Sequence, residues 1–185
     1  MNPATFVWII YGLWVLLVLY LTISAIGAKR DTQGHLLQSF GILFAMIAAF
    51  ALPHLEIFRL VNFAPVSPSL STIGVIITVV GMMLFVWARQ TLGGNWSQTV
   101  SAKEGPELVT SGPYRHVRHP MYSSGLIACI GSAMAAGGAF VFLFVFLTPL
   151  FLWRVGAEDR LMSQQFPNEY PAYKERTKAL IPFVW

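Results

Sequence analysis

The chain has 185 residues, of which 56% are hydrophobic and only 11% are charged. Soluble domains carry about 25% charged residues, so the composition excludes an ordinary soluble protein and indicates one membrane-embedded domain. The formal net charge is +4, but the basic residues lie beside apolar segments instead of forming a basic domain, which indicates contact with lipid headgroups and not with nucleic acid.

Long stretches without Lys, Arg, Asp or Glu predict the membrane-spanning helices. The last such stretch, residues 119–153, is long enough for two short helices, and Gly137-Gly138 is the expected turn because glycine permits tight reversals. A span needs about 20 apolar residues. The sequence therefore predicts an all-α, multi-pass membrane protein with about five spans, at residues 5–27, 36–52, 70–89, 121–136 and 139–155.

The basic residues predict the orientation of these spans. The first apolar segment lacks a basic leader and a cleavage site, so we expect it to be retained as a span. Of the 12 Lys and Arg residues, only Arg59 falls on the opposite side from the other 11. The positive-inside rule then places the loop after the third span and the C-terminal tail in the cytosol and the N-terminus outside, in the inner membrane if the source is bacterial.

Two polar segments, residues 90–119 and 156–185, supply nearly all the cytosolic groups that could bind a polar cofactor. We therefore expect them to form one site. In this interpretation residues 1–185 are a single domain, in which residues 1–89 form a lipid pocket and residues 90–185 form the cofactor-binding and catalytic part.

The run before the fourth span predicts a helix that begins at Pro120, where a missing N–H group costs nothing. Free N–H groups at that helix start, beside Arg118 and His119, suit an anionic group such as an amino-acid carboxylate. A basic anchor at the membrane surface explains the same residues equally well. His116 and His119 could suggest a metal pair, but no third ligand of the right type is evident nearby, so no metal site is predicted.

Arg154 and Glu158 are four residues apart and therefore share one face of the helix that continues the fifth span. Ionisable groups at a membrane boundary are candidates for function. An ordinary ion pair, worth about 0.3–0.5 kcal/mol when exposed, would explain the same spacing. Cys129 is the only cysteine, which excludes an internal disulfide.

Several motifs in the second half of the chain occur together in one order. They are Leu-Val-Thr-Ser-Gly-Pro-Tyr at 108–114, Arg-His-Pro-Met-Tyr at 118–122, Arg-Val-Gly-Ala-Glu-Asp at 154–159, the aromatic residues Phe166, Tyr170 and Tyr173, and Ile-Pro-Phe at 181–183. Over about residues 90–185 this set resembles the isoprenylcysteine carboxyl methyltransferase family. The first half of the chain carries no such pattern.

The resemblance implies that S-adenosylmethionine binds between the loop before the fourth span and the C-terminal segment. It implies that the acceptor side is formed by Arg154 and Glu158, with Arg154 holding a carboxylate. A family histidine is replaced here by Pro106, and a family glutamine corresponds to Gln98 or, without a gap, to Thr99. The implied cofactor contacts are Gln98, Pro106, Glu107, Leu108, Val109, Tyr114, His119, Pro120, Met121 and Tyr122.

The expected function is methylation of a lipophilic or lipidated acceptor at the cytosolic membrane face, in contact with membrane lipids. Carboxyl methylation of an isoprenylcysteine-type acceptor is the first expectation. A phospholipid-amine or thiol methyltransferase would use the same cofactor site without needing Arg154 for a carboxylate. An NADPH-dependent enzyme resembling sterol reductases would account for the Arg-His-Pro-Met-Tyr segment, and a non-enzymatic membrane scaffold would account for the spans alone.

Overall fold

The computed structural model describes residues 2–25, 67–96 and 107–182. These residues form five α-helices, α1 (Pro3–Ala25), α2 (Pro68–Leu92), α3 (Pro120–Ala136), α4 (Gly138–Gln165) and α5 (Tyr170–Arg176). Two 3₁₀ turns follow α2 and precede α3, at Gly93–Asn95 and Gly112–Arg115. Within the described ranges there is no strand, and only an isolated bridge joins Val117 to Lys178. The all-α prediction is confirmed for this part of the chain.

Among the described residues, three helical segments are long and apolar enough to cross a membrane, Ala4–Ser24, Pro68–Asn95 and Phe140–Gln165. The predicted spans 5–27, 70–89 and 121–136 correspond closely to α1, α2 and α3. The fifth predicted span, 139–155, lies within α4, which continues beyond it to Gln165 as the predicted continuation through Glu158 requires. The second, at 36–52, lies outside the described residues, so the count of five stays a prediction.

The tightest packing in the bundle is between α2 and α3, which run antiparallel. A Cβ atom built on Gly74 would lie 2.6 Å from the backbone of both Gly131 and Ala135, and one on Gly81 would lie 2.7 Å from the Ala128 nitrogen. Small residues let two membrane helices approach this closely. The contact therefore depends on glycine and other small residues along one stripe of each helix.

The helix α1 packs across this pair and is parallel to α2. Ile10 belongs to the same core cluster as Ala135, and Leu17 to the same cluster as Met82 and Ala128. The C-terminal ends of α1 and α2 are joined by Arg89, whose guanidinium donates to the carbonyl oxygen of Ser24. Since the two helices are parallel, Ala25 and Ser67 lie at opposite ends of the bundle.

A single residue, Gly137, separates α3 from α4. Its φ of 86° lies in the left-handed region that glycine adopts without strain, and its N–H donates to Ala133 O at 2.9 Å. The predicted reversal at Gly137-Gly138 is confirmed. The predicted start of α3 at Pro120 is confirmed as well, and the resulting helical hairpin brings the start of α3 beside the second half of α4.

Candidate functional site

The loop before α3 and the C-terminal segment are in direct contact at one end of the bundle. The backbone N–H groups of Arg118 and His119 donate to the carbonyl oxygens of Lys178 and Ala179 at 2.8 and 3.0 Å. The hydroxyl of Tyr173 donates to Tyr114 O at 2.7 Å. The two polar segments that the sequence predicts to meet are therefore neighbours in the structure.

Glu158 lies at the centre of the first cluster of side chains at this end. Its Oε1 accepts hydrogen bonds from the Tyr122 hydroxyl and from Nη2 of Arg154, the latter at 3.3 Å. Its Oε2 lies 3.3 Å from Nδ1 of His119. The Nε of Arg154 donates in turn to the Tyr122 hydroxyl at 2.9 Å. Arg154, Tyr122 and His119 thus surround one carboxylate, and α3 and α4 are held together through it.

Asp159, the next residue of α4, forms a second cluster that sequence reasoning missed. Its carboxylate lies 2.9 Å from Nε2 of His119 and 3.2 Å from Nη2 of Arg118. It also accepts from the Tyr170 hydroxyl and lies 3.5 Å from Nζ of Lys174, both on α5. At 8% exposure Asp159 is a buried acid, and the only sequence signal for it was its place next to Glu158 in the 154–159 motif.

His119 connects the two clusters, because each of its ring nitrogens faces a different carboxylate. Burial alone would lower the pKa of His119, but the hydrogen bonds to Asp159 and Glu158 and the charges of both carboxylates outweigh it and raise the pKa above its ordinary value. Two acceptors at the two nitrogens favour the imidazolium form, which donates from both. His119 therefore bridges Glu158 and Asp159, in surroundings that favour its charged form.

An aromatic wall lies beside this polar cluster, on the side of the apolar helices. The ring of Tyr122 stacks on Phe151 with centroids 4.7 Å apart, and on the His119 ring at 5.8 Å. Gly125 lies one turn further along α3, and the rings of Phe151 and Phe85 occupy the space beside it. The neighbouring Trp153 is 67% exposed on the outer surface of α4. The polar cluster therefore sits where the apolar part of the bundle ends.

The remaining predicted cofactor residues lie along the loop before α3. Tyr114 and Pro120 are buried, Leu108, Val109 and Met121 are half-buried, and Glu107 is exposed. The structure brings His119 and Tyr122 to Arg154 and Glu158. Gln98, Thr99 and Pro106 lie outside the described residues, and no group of three or more potential metal-binding side chains occurs within the described ranges.

Comparison with known proteins gives one family. The model of the isoprenylcysteine carboxyl methyltransferase (ICMT) family matches residues 74–164. The chain is 28% identical over 152 residues to protein-S-isoprenylcysteine O-methyltransferase of Saccharomyces cerevisiae, a match that covers 80% of this chain and 62% of that protein. It is 32% identical over 123 residues to cobalt-zinc-cadmium resistance protein CzcN of Cupriavidus metallidurans, covering 63% of this chain and 51% of that protein.

The fold is similar to that of a solved membrane enzyme. The structure of the eukaryotic intramembrane Ras methyltransferase ICMT matches with a TM-score of 0.57 and 21% identity, over 83% of this chain and 55% of that one. At this level of identity the likeness shows the fold. The chain thus spans between about half and just under two thirds of the length of these three proteins.

Proposed function

Because residues 74–164 belong to the isoprenylcysteine carboxyl methyltransferase family, we propose that this chain methylates the carboxyl group of an isoprenylcysteine-type acceptor with S-adenosylmethionine as the donor. The observation that carries the proposal is the position of Arg154. Its guanidinium is held by the Tyr122 hydroxyl and by Glu158, at the junction between the apolar helices and the polar end. A lipid tail and a carboxylate could be bound there at the same time.

Arg154 is the residue that we assign to the acceptor carboxylate, because a planar guanidinium matches a carboxylate in shape and charge. Glu158 is assigned to orientation, since it accepts from both Arg154 and Tyr122 and so limits the directions in which the guanidinium can point. The aromatic wall of Tyr122 and Phe151 would exclude water from the acceptor and align it for attack.

The loop before α3 fits the proposed cofactor by the chemistry of its groups. Residues 108–110 are half-buried, and within the described part of the chain their backbone N–H and C=O groups have no hydrogen-bond partner. An adenine ring needs an apolar surface with a few polar groups at its edge. S-adenosylmethionine would supply an activated methyl group on a sulfonium, which requires no metal. We assign its binding to Gln98, Pro106, Glu107, Leu108, Val109, Tyr114, Pro120 and Met121, with His119 and Tyr122 nearest the acceptor.

The proposal is tested with the protein purified in detergent and returned to lipid vesicles. Binding of S-adenosylmethionine and of NADPH is compared by calorimetry, and transfer of labelled methyl groups is measured with an N-acetyl S-prenylcysteine. We expect binding of S-adenosylmethionine alone and base-labile methyl incorporation, as a carboxyl ester gives. Binding of NADPH without S-adenosylmethionine would overturn the assignment.

The same assay distinguishes the acceptor and the orientation. A phosphatidylethanolamine and a long-chain thiol are offered in parallel, because methylation of either in preference to the prenylcysteine would replace the carboxyl acceptor by an amine or a sulfur. For the orientation, sealed vesicles are prepared from cell membranes instead, and S-adenosylmethionine is added outside them because it is charged and crosses membranes slowly. If the polar end faces the cytosol, inside-out vesicles are active and right-side-out vesicles are not.

A further inference from the structure

Asp159 binds more partners than any other acid of the site. Four side chains from two segments converge on its carboxylate, Arg118 and His119 before α3 and Tyr170 and Lys174 on α5. A buried carboxylate is stable only with such compensation. Since the partners come from separate segments, Asp159 fixes the loop and α5 relative to α4.

Within the described residues, Asp159 forms no hydrogen bond or ion pair with Arg154 or Tyr122, the two groups proposed to meet the acceptor. It reaches them through other side chains. Asp159 lies 2.9 Å from His119, His119 lies 3.3 Å from Glu158, and Glu158 lies 3.3 Å from Arg154. Negative and positive groups alternate along this row, so each residue orients the next one by charge.

The helix geometry explains why both acids are present. Residues 158 and 159 are separated by about 100° around α4. Glu158 is therefore directed to Arg154 and Tyr122, while Asp159 is directed to Arg118 and α5. His119 lies between these two directions and contacts both acids.

We propose that Asp159 is a positioning residue that holds His119 as a charged bridge and thereby orients Glu158 and Arg154 for the acceptor. The inference rests on the proposed function wherever turnover is the measurement. It assigns Asp159 a role different from that of Glu158: removal of the Asp159 charge releases His119, whereas removal of the Glu158 charge releases Arg154 directly.

The first experiment follows His119 itself, without any substrate. The ring of His119 is observed by NMR in the labelled full chain in detergent, and its signal is assigned by difference with His119→Gln. In the wild type we expect His119 to titrate above its ordinary pKa of 6.5. In Asp159→Asn, which keeps an oxygen acceptor but loses the charge, the midpoint should fall by about 1–3 pH units, the usual effect of one nearby opposite charge.

The second experiment measures the pH profile of turnover in the same variants. The groups that face His119 are Glu158 and Asp159 from α4 and Tyr122 from α3, while Arg118, Tyr170 and Lys174 reach it through Asp159 and Arg154 through Glu158. If the imidazolium is the active form, turnover declines as the pH rises through the pKa of His119. Asp159→Asn should move this decline to lower pH by the same amount, about 1–3 units.

Glu175→Gln is the matched control, because it also removes one acidic charge but lies on α5, where it is exposed and outside the cluster. It should leave both the His119 titration and the profile unchanged. Asp159→Glu keeps the charge, so its turnover should decline with pH in the same range as that of the wild type. Its kcat should be lower than that of the wild type, because the longer side chain displaces its partners. In Asp159→Asn kcat should fall, because His119 no longer holds Glu158 and Arg154 in position.

The outcomes separate positioning from a merely structural role. If Asp159→Asn lowers the yield of folded protein but its His119 midpoint and its pH profile match those of Glu175→Gln, the proposal is overturned. If Asp159→Asn does not fold, the wild-type titration decides, because a His119 midpoint at or below 6.5 contradicts the charged bridge. If no acceptor is methylated, the proposed function fails. The NMR titrations of His119 in the wild type and in Asp159→Asn need no substrate, so they still test the role of Asp159.

Discussion

The two ends of the helical bundle are held together in opposite ways. Between α2 and α3, backbone contacts backbone, and a single added carbon on Gly131 would lie 2.5 Å from the nitrogen of Thr78. At the polar end, α3, α4 and α5 are joined through charged side chains that meet around Glu158 and Asp159. The first region is specified mainly by how small its contacting residues are, and the second by side chains of particular chemistry.

This difference predicts that the two regions respond differently to substitution. Loss of packing between α2 and α3 should reduce the amount of folded protein, with little change in turnover per folded molecule. Loss of one charge around Glu158 should reduce turnover, with a smaller effect on stability, because that end of the bundle has several other contacts. The following predictions test this separation.

The largest effect is expected for Arg154→Ala. Removal of the guanidinium that Tyr122 and Glu158 hold in place should lower kcat by on the order of 100-fold or more, as loss of a charge-stabilising donor usually does. Binding of S-adenosylmethionine should remain nearly intact, because the loop before α3 holds the cofactor in our proposal. Arg154→Lys keeps the charge without the planar fork and should be intermediate. Activity equal to the wild type would refute the role of Arg154.

Gly131→Ala should act on folding instead. The added methyl group would be forced against the Thr78 nitrogen and the Gly74 oxygen, at 2.5 and 2.6 Å, so α2 and α3 must separate. Overpacking of this kind costs about 1–3 kcal/mol. The control is Gly12→Ala, since a methyl group at Gly12 meets nothing within 4 Å. Denaturant unfolding in detergent micelles gives the free energy of unfolding of both variants. Equal stability of the two variants would contradict the backbone contact.

The sequence predicted the apolar helices because a membrane imposes a simple requirement, about 20 apolar residues per span. It predicted the reversal at Gly137 because a glycine pair interrupts an apolar stretch. It could not show where α4 ends, since a helix can continue into water once its apolar residues stop. It also could not identify Gly131 as a contact, because Gly12 and Gly156 are helical glycines as well and face open space.

The polar end was predicted in part. The spacing of Arg154 and Glu158 placed them on one face of a helix, and the structure pairs them. Asp159 is one residue further along the helix and therefore lies on another face, so no role for it was evident from the sequence. Asp159 is important because it contacts His119, which lies 40 positions away and also contacts Glu158. Helix geometry alone does not predict a contact between residues so far apart in the sequence. The cofactor contacts stay a prediction.

The smallest effect is expected within the apolar half, at the bond from α1 to the buried hydroxyls of α2 and α3. The indole N–H of Trp14 donates to the hydroxyl of Ser132 at 3.0 Å, and that hydroxyl is 3.3 Å from the hydroxyl of Thr78. Such bonds between membrane helices contribute about 0.6 kcal/mol on average. Trp14→Phe removes this bond and part of the indole packing on Phe140, so it should lower stability by at least that amount, with turnover per folded molecule unchanged.

Trp8→Phe is the matched control for this bond, because Trp8 is 66% exposed on the outer surface of α1. Both substitutions remove the same indole atoms, so the difference between their unfolding free energies gives the contribution of the Ser132 bond together with the packing of Trp14. If the two variants lose the same stability, the bond to Ser132 contributes nothing net and shape alone holds α1 in place. If Trp14→Phe instead lowers kcat, the separation between the two ends of the bundle fails, because a change in the apolar half would have reached the polar cluster.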